Sequence, residues 1–501
     1  MLEVRGLQVS IGRPGKKTEI LCGIDLEIRQ GELFGLVGES GSGKSMTALT
    51  LLGLLPKGAV VKADRMCLGD WELNCLTPRQ WQELRGTEIA MVFQEPMTSL
   101  NPVLTIEKQV EEGLLLHGGR EYRRNREARR QRVLALLREA GLPEPERLLE
   151  AYPHQLSGGM RQRVMIAIAM ICRPRLLIAD EPTTALDIMT QDKILELLQY
   201  YRKEYGTTVL FISHDLKLIN RLCDRVAVMR QGRIVECGTT RELFSHPQNG
   251  YTRELLAASR GEQQIRGTER RAGGSRPVLS VSDVSVQYEE TGRFGKKQIH
   301  RVLAQVSFSL GEGEILGLVG ESGSGKSTLC KAITGLLPIT QGTIRFAPGC
   351  EQPQMVFQDP YGSLNPARRI GWILEEPLRI QGGYSARERR RLVRDLLKEV
   401  ELPPEYENRY IRELSGGQRQ RVAIACALIC DRKIVILDEP VSALDVTVQE
   451  QILRLLARLQ AERGTSFLFI SHDITVIKRM CDRILVLRDG KLMERCEEES
   501  V

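Results

Sequence analysis

Eight consecutive residues, Gly38, Glu39, Ser40, Gly41, Ser42, Gly43, Lys44 and Ser45, follow an apolar run and precede a stretch with helical patterning. That order fits a phosphate cradle. The glycines let successive backbone N–H groups turn toward an anion, the lysine balances charge on β- and γ-phosphates, and the Ser45 hydroxyl is placed to ligate Mg²⁺. The order recurs as Gly320, Glu321, Ser322, Gly323, Ser324, Gly325, Lys326 and Ser327, with Thr328 next. A Gly-rich turn beside a solvent lysine is the plain alternative for one such match, and a second match in the same context argues against it.

Downstream, the apolar runs LLIAD-E and IVILD-E end in paired carboxylates, Asp180 with Glu181 and Asp438 with Glu439. Neighbours on a strand point to opposite sides, but at a strand's end the chain turns and both groups can approach the phosphates. Asp180 and Asp438 then suit the surroundings of Mg²⁺, and Glu181 and Glu439 suit a general base that polarises an attacking water. Gln94 and Gln358 offer an amide to that water or to the metal. His214 and His472, each after a strand-like run, are placed to reach the γ-phosphate. A lone Gln or His is more often structural, and the doubled, ordered set reverses that expectation. Ser157, Gly158 and Gly159 in LSGGM, and Ser415, Gly416 and Gly417 in LSGGQ, combine a hydroxyl with backbone N–H groups at a helix start, a second anion site. The ligand this set fits is ATP with Mg²⁺.

These groups are positioned by a chain that is written twice. VFQ, SLNP, LSGG, RQRV, DEP, ALD, ISHD and CDR follow both phosphate motifs in one order. Ser157 to Asp180 and Ser415 to Asp438 both span 23 residues, and Glu181 to His214 and Glu439 to His472 both span 33. The early spacings differ, 56 residues from Gly38 to Gln94 against 38 from Gly320 to Gln358, so the second copy has lost roughly a hairpin. The expected division is a first domain over 1–259, a polar, Gly-containing linker over 260–276 and a second domain over 277–501. Strand-like runs such as ELFGLVG and TVLFISHD alternate with helical segments such as TQDKILELLQYYRKE, which predicts an α/β fold around a largely parallel sheet in each copy.

The 501 residues, 42% hydrophobic and 27% charged, exclude a small stapled scaffold and a collagenous or low-complexity chain. A net charge of +7 compels no anionic partner. No apolar stretch approaches the roughly 18 residues that cross a bilayer, and the N-terminus has no apolar signal core. Twelve dispersed cysteines with no C-x-x-C pair read as reduced thiols in a cytosol. The Arg-rich stretches 120–138 and 387–398 read as solvated faces of amphipathic helices rather than nucleic-acid sites, because apolar residues such as Val133, Leu134, Leu136 and Leu137 recur among the charges.

With every motif in both copies, the chain resembles the ATP-binding subunits of ABC transporters over almost its whole length. The resemblance implies two P-loop ATPase domains in tandem, each a largely parallel sheet core with a helical signature subdomain. It also implies that the domains pair within one chain, head to tail. Lys44, Gln94, Asp180, Glu181 and His214 would then share a site with Ser415, Gly416 and Gly417, and Lys326, Gln358, Asp438, Glu439 and His472 with Ser157, Gly158 and Gly159. Asp187 and Asp445 are similar to residues that connect the two sites. Tyr288 matches the aromatic that stacks on adenine, while the aligned residue in the first copy is Ile11.

The wording FQEPMTSLNP, FQDPYGSLNP, YPHQLSGG and HPQNGYTRELL resembles the peptide and nickel uptake branch. That branch implies ATP-driven uptake of a peptide, nickel or metal-opine type solute by a peripheral motor on the cytoplasmic face of the inner membrane, with two integral-membrane permease subunits, an extracytoplasmic solute-binding protein and no nucleic acid. Coupling helices would rest after Gln94 and Gln358, where Met97, Leu100, Tyr361 and Leu364 are apolar candidates; the two leucines fit their own cores equally well. No cysteines suited to an iron–sulfur cluster follow Tyr251. Fused sugar-uptake ATPases and soluble translation or repair factors are the alternatives. The first resembles a pattern with one degenerate site, absent here, and the second carries a longer, charged helical arm between its domains.

Overall fold

A computed structural model describes residues 1–13, 16–94, 99–184, 186, 188–260, 276–291, 297–321, 323–442 and 444–493. The chain divides into two compact units, Met1–Arg260 and Gly261–Val501. Apart from Arg260 and Arg276, the expected linker lies outside the described residues.

The first unit is built on a six-stranded sheet in the order Arg233–Thr239, Arg225–Arg230, Leu33–Gly38, Thr208–Ile212, Leu176–Asp180, Ile89–Val92. All neighbours are parallel except the edge hairpin of Arg225–Arg230 with Arg233–Thr239. Leu33, Val37, Leu177, Ala179, Val209 and Phe211 face a layer of helices. Their alternates Phe34, Leu36, Leu176, Ile178, Leu210 and Ile212 pack with Leu2, Val4 and Leu7 of an antiparallel sheet. Both faces are covered, which is why these strands read as unbroken apolar runs instead of alternating ones. In the antiparallel layer, Leu2–Arg13 pairs with Lys16–Ile28, Ala59–Lys62 and Arg65–Leu68.

The second unit repeats the plan, with Gln354–Val356, Ile434–Asp438, Ser466–Ser471, Ile315–Val319, Arg483–Arg488 and Lys491–Met493 in sheet order. The spacing difference has a structural form larger than the expected hairpin. The first unit carries the hairpin Arg65–Leu68 with Trp71–Glu72 and, beyond it, the helix Pro78–Leu84. That helix is opened by a reciprocal cap, in which Thr77 Oγ1 accepts from the Gln80 amide and Gln80 Oε1 accepts from the Thr77 amide. The second unit passes from Gln341–Phe346 to Gln354–Val356 without either element.

Arg126–Glu139 is a helix that buries Val133, Leu134, Leu136 and Leu137 in its second half. Arg129, Arg130 and Arg132 on it pair with Glu111, Glu107 and Glu139. In the second unit Ala386–Glu399 buries Val393, Leu396 and Leu397, and Arg390 and Arg394 both hold Glu407. Among the described residues no helix is long and apolar enough to cross a membrane.

Candidate functional site

Strand Leu33–Gly38 is buried throughout and delivers its last residue to the loop that leads into helix Lys44–Leu51. A Cβ on Gly38 would lie 2.2 Å from the Met229 carbonyl oxygen, and one on Gly320 would lie 2.3 Å from that of Leu487, so the neighbouring strand leaves room for glycine alone. The helices open on Gly43 (φ 107°) and Gly325 (φ 104°), in left-handed backbone that a side chain disfavours. Lys44 Nζ donates to the carbonyls of Gly38 (2.6 Å) and Glu39 (2.9 Å), and Lys326 Nζ to those of Gly320 (2.7 Å) and Glu321 (2.8 Å). The buried hydroxyls of Ser42 and Ser324 have no hydrogen-bond partner among the described residues. Gly41 and Gly323 turn the loops at positive φ, and Ser40 lies in the same turn as Gly41. Ser322 lies outside the described residues.

Strands Leu176–Asp180 and Ile434–Asp438 bring the carboxylates beside these loops. Asp180 stands beside the Ser45 hydroxyl and Asp438 beside that of Ser327, and Thr328 follows on the same helix as Ser327. The Oδ1 atoms of Asp180 and Asp438 are buried and have no partner among the described residues. Burial pushes Asp180 up to about 6, against the Ser45 hydrogen bond and the Lys44 charge, which pull it down.

Glu181 (φ 47°) and Glu439 (φ 48°) both adopt left-handed backbone, and this turn at the strand's end brings the second carboxylate round to the first. Gln94 Nε2 donates to Glu181 Oε2 at 2.7 Å and Gln358 Nε2 to Glu439 Oε2 at 2.9 Å. His214 Nδ1 lies 3.2 Å from Glu181 Oε1, and His472 Nδ1 lies 3.3 Å from Glu439 Oε2. Burial pushes the Glu181 carboxyl up, yet the His214 bond and the charges of His214 and Lys44 hold it below the usual carboxylate range. Burial likewise opposes charge on His214, and Glu181 raises its pKa in spite of that. From sequence, Gln was expected at water or metal and His at phosphate. In the structure both side chains also meet the glutamate, whose half-buried carboxylate takes partners there.

The signature groups start separate helices. Ser157 Oγ accepts from the Met160 amide at the head of Gly158–Met170, and Ser415 Oγ from the Gln418 amide at the head of Gly416–Leu428. A Cβ on Gly159 would lie 2.3 Å from Thr190, and one on Gly417 would lie 2.4 Å from Val448. Gly158 and Gly416 are exposed.

The ABC transporter family profile matches residues 21–184 and 303–442, which is more than half of the chain. The chain belongs to the ABC transporter family. It is 44% identical to the peptidoglycan transport ATP-binding protein YejF of Agrobacterium fabrum, over 99% of this chain and 92% of that protein. It is 42% identical to the glutathione import ATP-binding protein GsiA of Salmonella typhimurium, over 99% of this chain and 86% of that one. A solved structure titled RNase-L Inhibitor superposes with a TM-score of 0.61 over 97% of this chain and 89% of its own, at 22% identity, a likeness of fold alone. The chain is an ATP-binding and ATP-hydrolysing subunit of an ABC importer.

Within this ABC subunit, Tyr288 and Ile11 stand at the same register of equivalent strands, Tyr288 opposite His300 and Ile11 opposite Thr18. The Tyr288 ring is exposed, ready to offer a face. Asp445 caps helix Val446–Arg463 through the Val448 amide, and Asp187 lies outside the described residues. Leu100 and Leu364 are buried in the cores of their own units, which removes them as docking residues. Tyr361 is exposed, with the Arg419 guanidinium 5.2 Å from its ring centroid, and Met97 lies outside the described residues. Two groups escaped the sequence reading. Thr184 Oγ1 donates to Glu181 Oε2 at 3.1 Å, and the Tyr251 hydroxyl accepts from the Glu39 amide at 3.3 Å. Thr184 sits just past the recognised DEP segment, three residues after Glu181, and that spacing was a usable signal.

Proposed function

We propose that this chain powers uptake of a peptide-like solute, using Mg²⁺ and ATP at two composite sites, each completed by the signature of the other copy. The solute class is carried by one observation: relatives named for peptidoglycan transport and glutathione import match 99% of the chain at 42–44% identity. Both named solutes contain short peptide chains.

The unpartnered Oδ1 atoms of Asp180 and Asp438, each beside a serine hydroxyl, suit a small oxygen-seeking cation. Ser45, Asp180 and Gln94, and Ser327, Asp438 and Gln358, would hold Mg²⁺, whose charge helps to neutralise the phosphates. Lys44 and Lys326 exchange their loop carbonyls for phosphate oxygens. Glu181 and Glu439, held ionised, take the proton of the attacking water, while Gln94 with His214 and Gln358 with His472 hold those carboxylates in one orientation. Ser157, Gly158 and Gly159, and Ser415, Gly416 and Gly417, present hydroxyl and amide donors to the γ-phosphate of the other copy's ATP.

The partners in this reading are two integral-membrane permease subunits and an extracytoplasmic solute-binding protein, with the chain peripheral on the cytoplasmic face of the inner membrane. Purified with its permeases, one chain per complex should be found by native mass measurement, and vesicles holding the complex should accumulate short peptides or glutathione when given ATP. Two chains per complex, or uptake of sugars and no peptides, would refute the reading. Tyr361→Asp should leave nucleotide binding intact and abolish co-purification with the permeases, since it puts a charge at the centre of an apolar contact.

The two sites should also differ in affinity. Ile11 packs against adenine without the π face that Tyr288 supplies, and aromatic stacking adds on the order of 1 kcal/mol. Tyr288→Ala should therefore weaken ATP binding more than Ile11→Ala in a nucleotide titration.

A further inference from the structure

The strongest unassigned contact lies behind the first phosphate loop. Residues 246–252 are wired to the edge hairpin. The Glu236 carboxylate accepts from the amides of Gln248 (2.8 Å) and Asn249 (3.2 Å), and Asn249 Oδ1 accepts from the Tyr251 amide at 2.9 Å. The Tyr251 side chain is 5% exposed, and the Arg230 guanidinium lies 4.5 Å from its ring centroid. Its hydroxyl meets the Glu39 amide. That amide and the Gly38 carbonyl belong to one peptide group, and the carbonyl accepts from Lys44. One peptide is thus held at both ends, by Tyr251 from behind and by Lys44 from the phosphate side. Among the described residues of the second unit, no side chain takes the equivalent Glu321 amide.

We infer that Tyr251 is a positioning residue for the first ATP site: it fixes the Gly38–Glu39 peptide, so that the loop keeps its anion-binding shape when Lys44 transfers from the Gly38 carbonyl to phosphate. The segment HPQNGYT is thereby a brace on that loop, and not only a connection to helix Gly250–Arg260. Preorganisation of this kind acts on affinity: a loop free to turn its first peptide must be re-ordered each time it binds. The inference rests on the assignment of ATP to the first phosphate loop.

The full chain carrying Lys326→Ala reports the first site alone, and the chain carrying Lys44→Ala reports the second. Each is titrated with a fluorescent ATP analogue and competed with ATP, with Tyr251 intact and with Tyr251→Phe, which removes one oxygen and keeps the ring. In the Lys326→Ala chain, Tyr251→Phe should weaken ATP about five- to tenfold, the effect of one lost hydrogen bond. In the Lys44→Ala chain affinity should not change. In the otherwise unmodified chain the variant should raise the KM for ATP and leave kcat nearly constant. Tyr251→Leu, which also removes the stacked ring, should weaken the first site at least as much. Equal affinity at the first site with and without Tyr251→Phe would overturn the inference alone, as would an equal loss at both sites, which marks general loosening. A Lys326→Ala chain that binds no ATP would overturn the ATP assignment and the inference together.

Discussion

Glu181→Gln and Glu439→Gln are each expected to lower ATP turnover of the assembled transporter by about 10²-fold, the lower end of what a general base contributes. Gln matches Glu in shape, so the turn at the end of each strand is kept, but an amide cannot accept the proton of the attacking water. In the wild type, His214 and Gln94 hold the carboxylate ionised and oriented, so the substitution removes a prepared base and not an incidental charge. ATP should still bind, and each variant should accumulate a closed, ATP-loaded state. Phosphate release and the amount of retained nucleotide check both statements. A variant with unchanged turnover would show that its site is not hydrolytic, and the two-site mechanism would then be wrong.

Gly38→Ala should be as damaging for a different reason. Its added methyl would sit 2.2 Å from the Met229 carbonyl oxygen, a backbone atom that cannot swing aside. Either the strand end or the loop must shift, at a cost of about 1–3 kcal/mol in stability. A displaced loop no longer aims its amides at phosphate, so ATP binding at the first site should be lost. Gly41→Ala is the useful comparison: at φ 81° it bears backbone strain, but its Cβ meets nothing within 4 Å. It should bind ATP more weakly and still bind. A denaturant midpoint and a nucleotide titration on both variants separate the two causes.

Much of this was readable in the sequence because the relevant signals are local. Central strands such as LLIAD are covered on both faces and therefore have to be continuously apolar, and a phosphate loop must be Gly-rich at fixed offsets. What escaped is non-local or conformational. Tyr251 reaches Glu39 across 212 residues, so HPQNGYTRELL could be noticed as wording without any hint of what its tyrosine touches. The positive φ of Glu181 and Glu439 is imposed by the turn out of the sheet, and glutamate has no intrinsic preference for it. Leu100 and Leu364 show a related limit: their position after Gln94 and Gln358 left a docking groove and their own cores equally open, and tertiary packing decides for the core.

The sheet edges have a bearing on how a chain that contains the same architecture twice can fold at all. While both halves are being made, a strand of one copy finds two nearly equivalent places to pair, and exchange between repeats is a characteristic route to misassembly. In the six-stranded sheets, one edge of the second unit is the three-residue strand Gln354–Val356, and one edge of the first is the four-residue strand Ile89–Val92. Edges that short expose few unpaired amides and carbonyls for a stray strand to zip onto. At these two edges the doubled architecture leaves a stray strand of the other copy little to pair with.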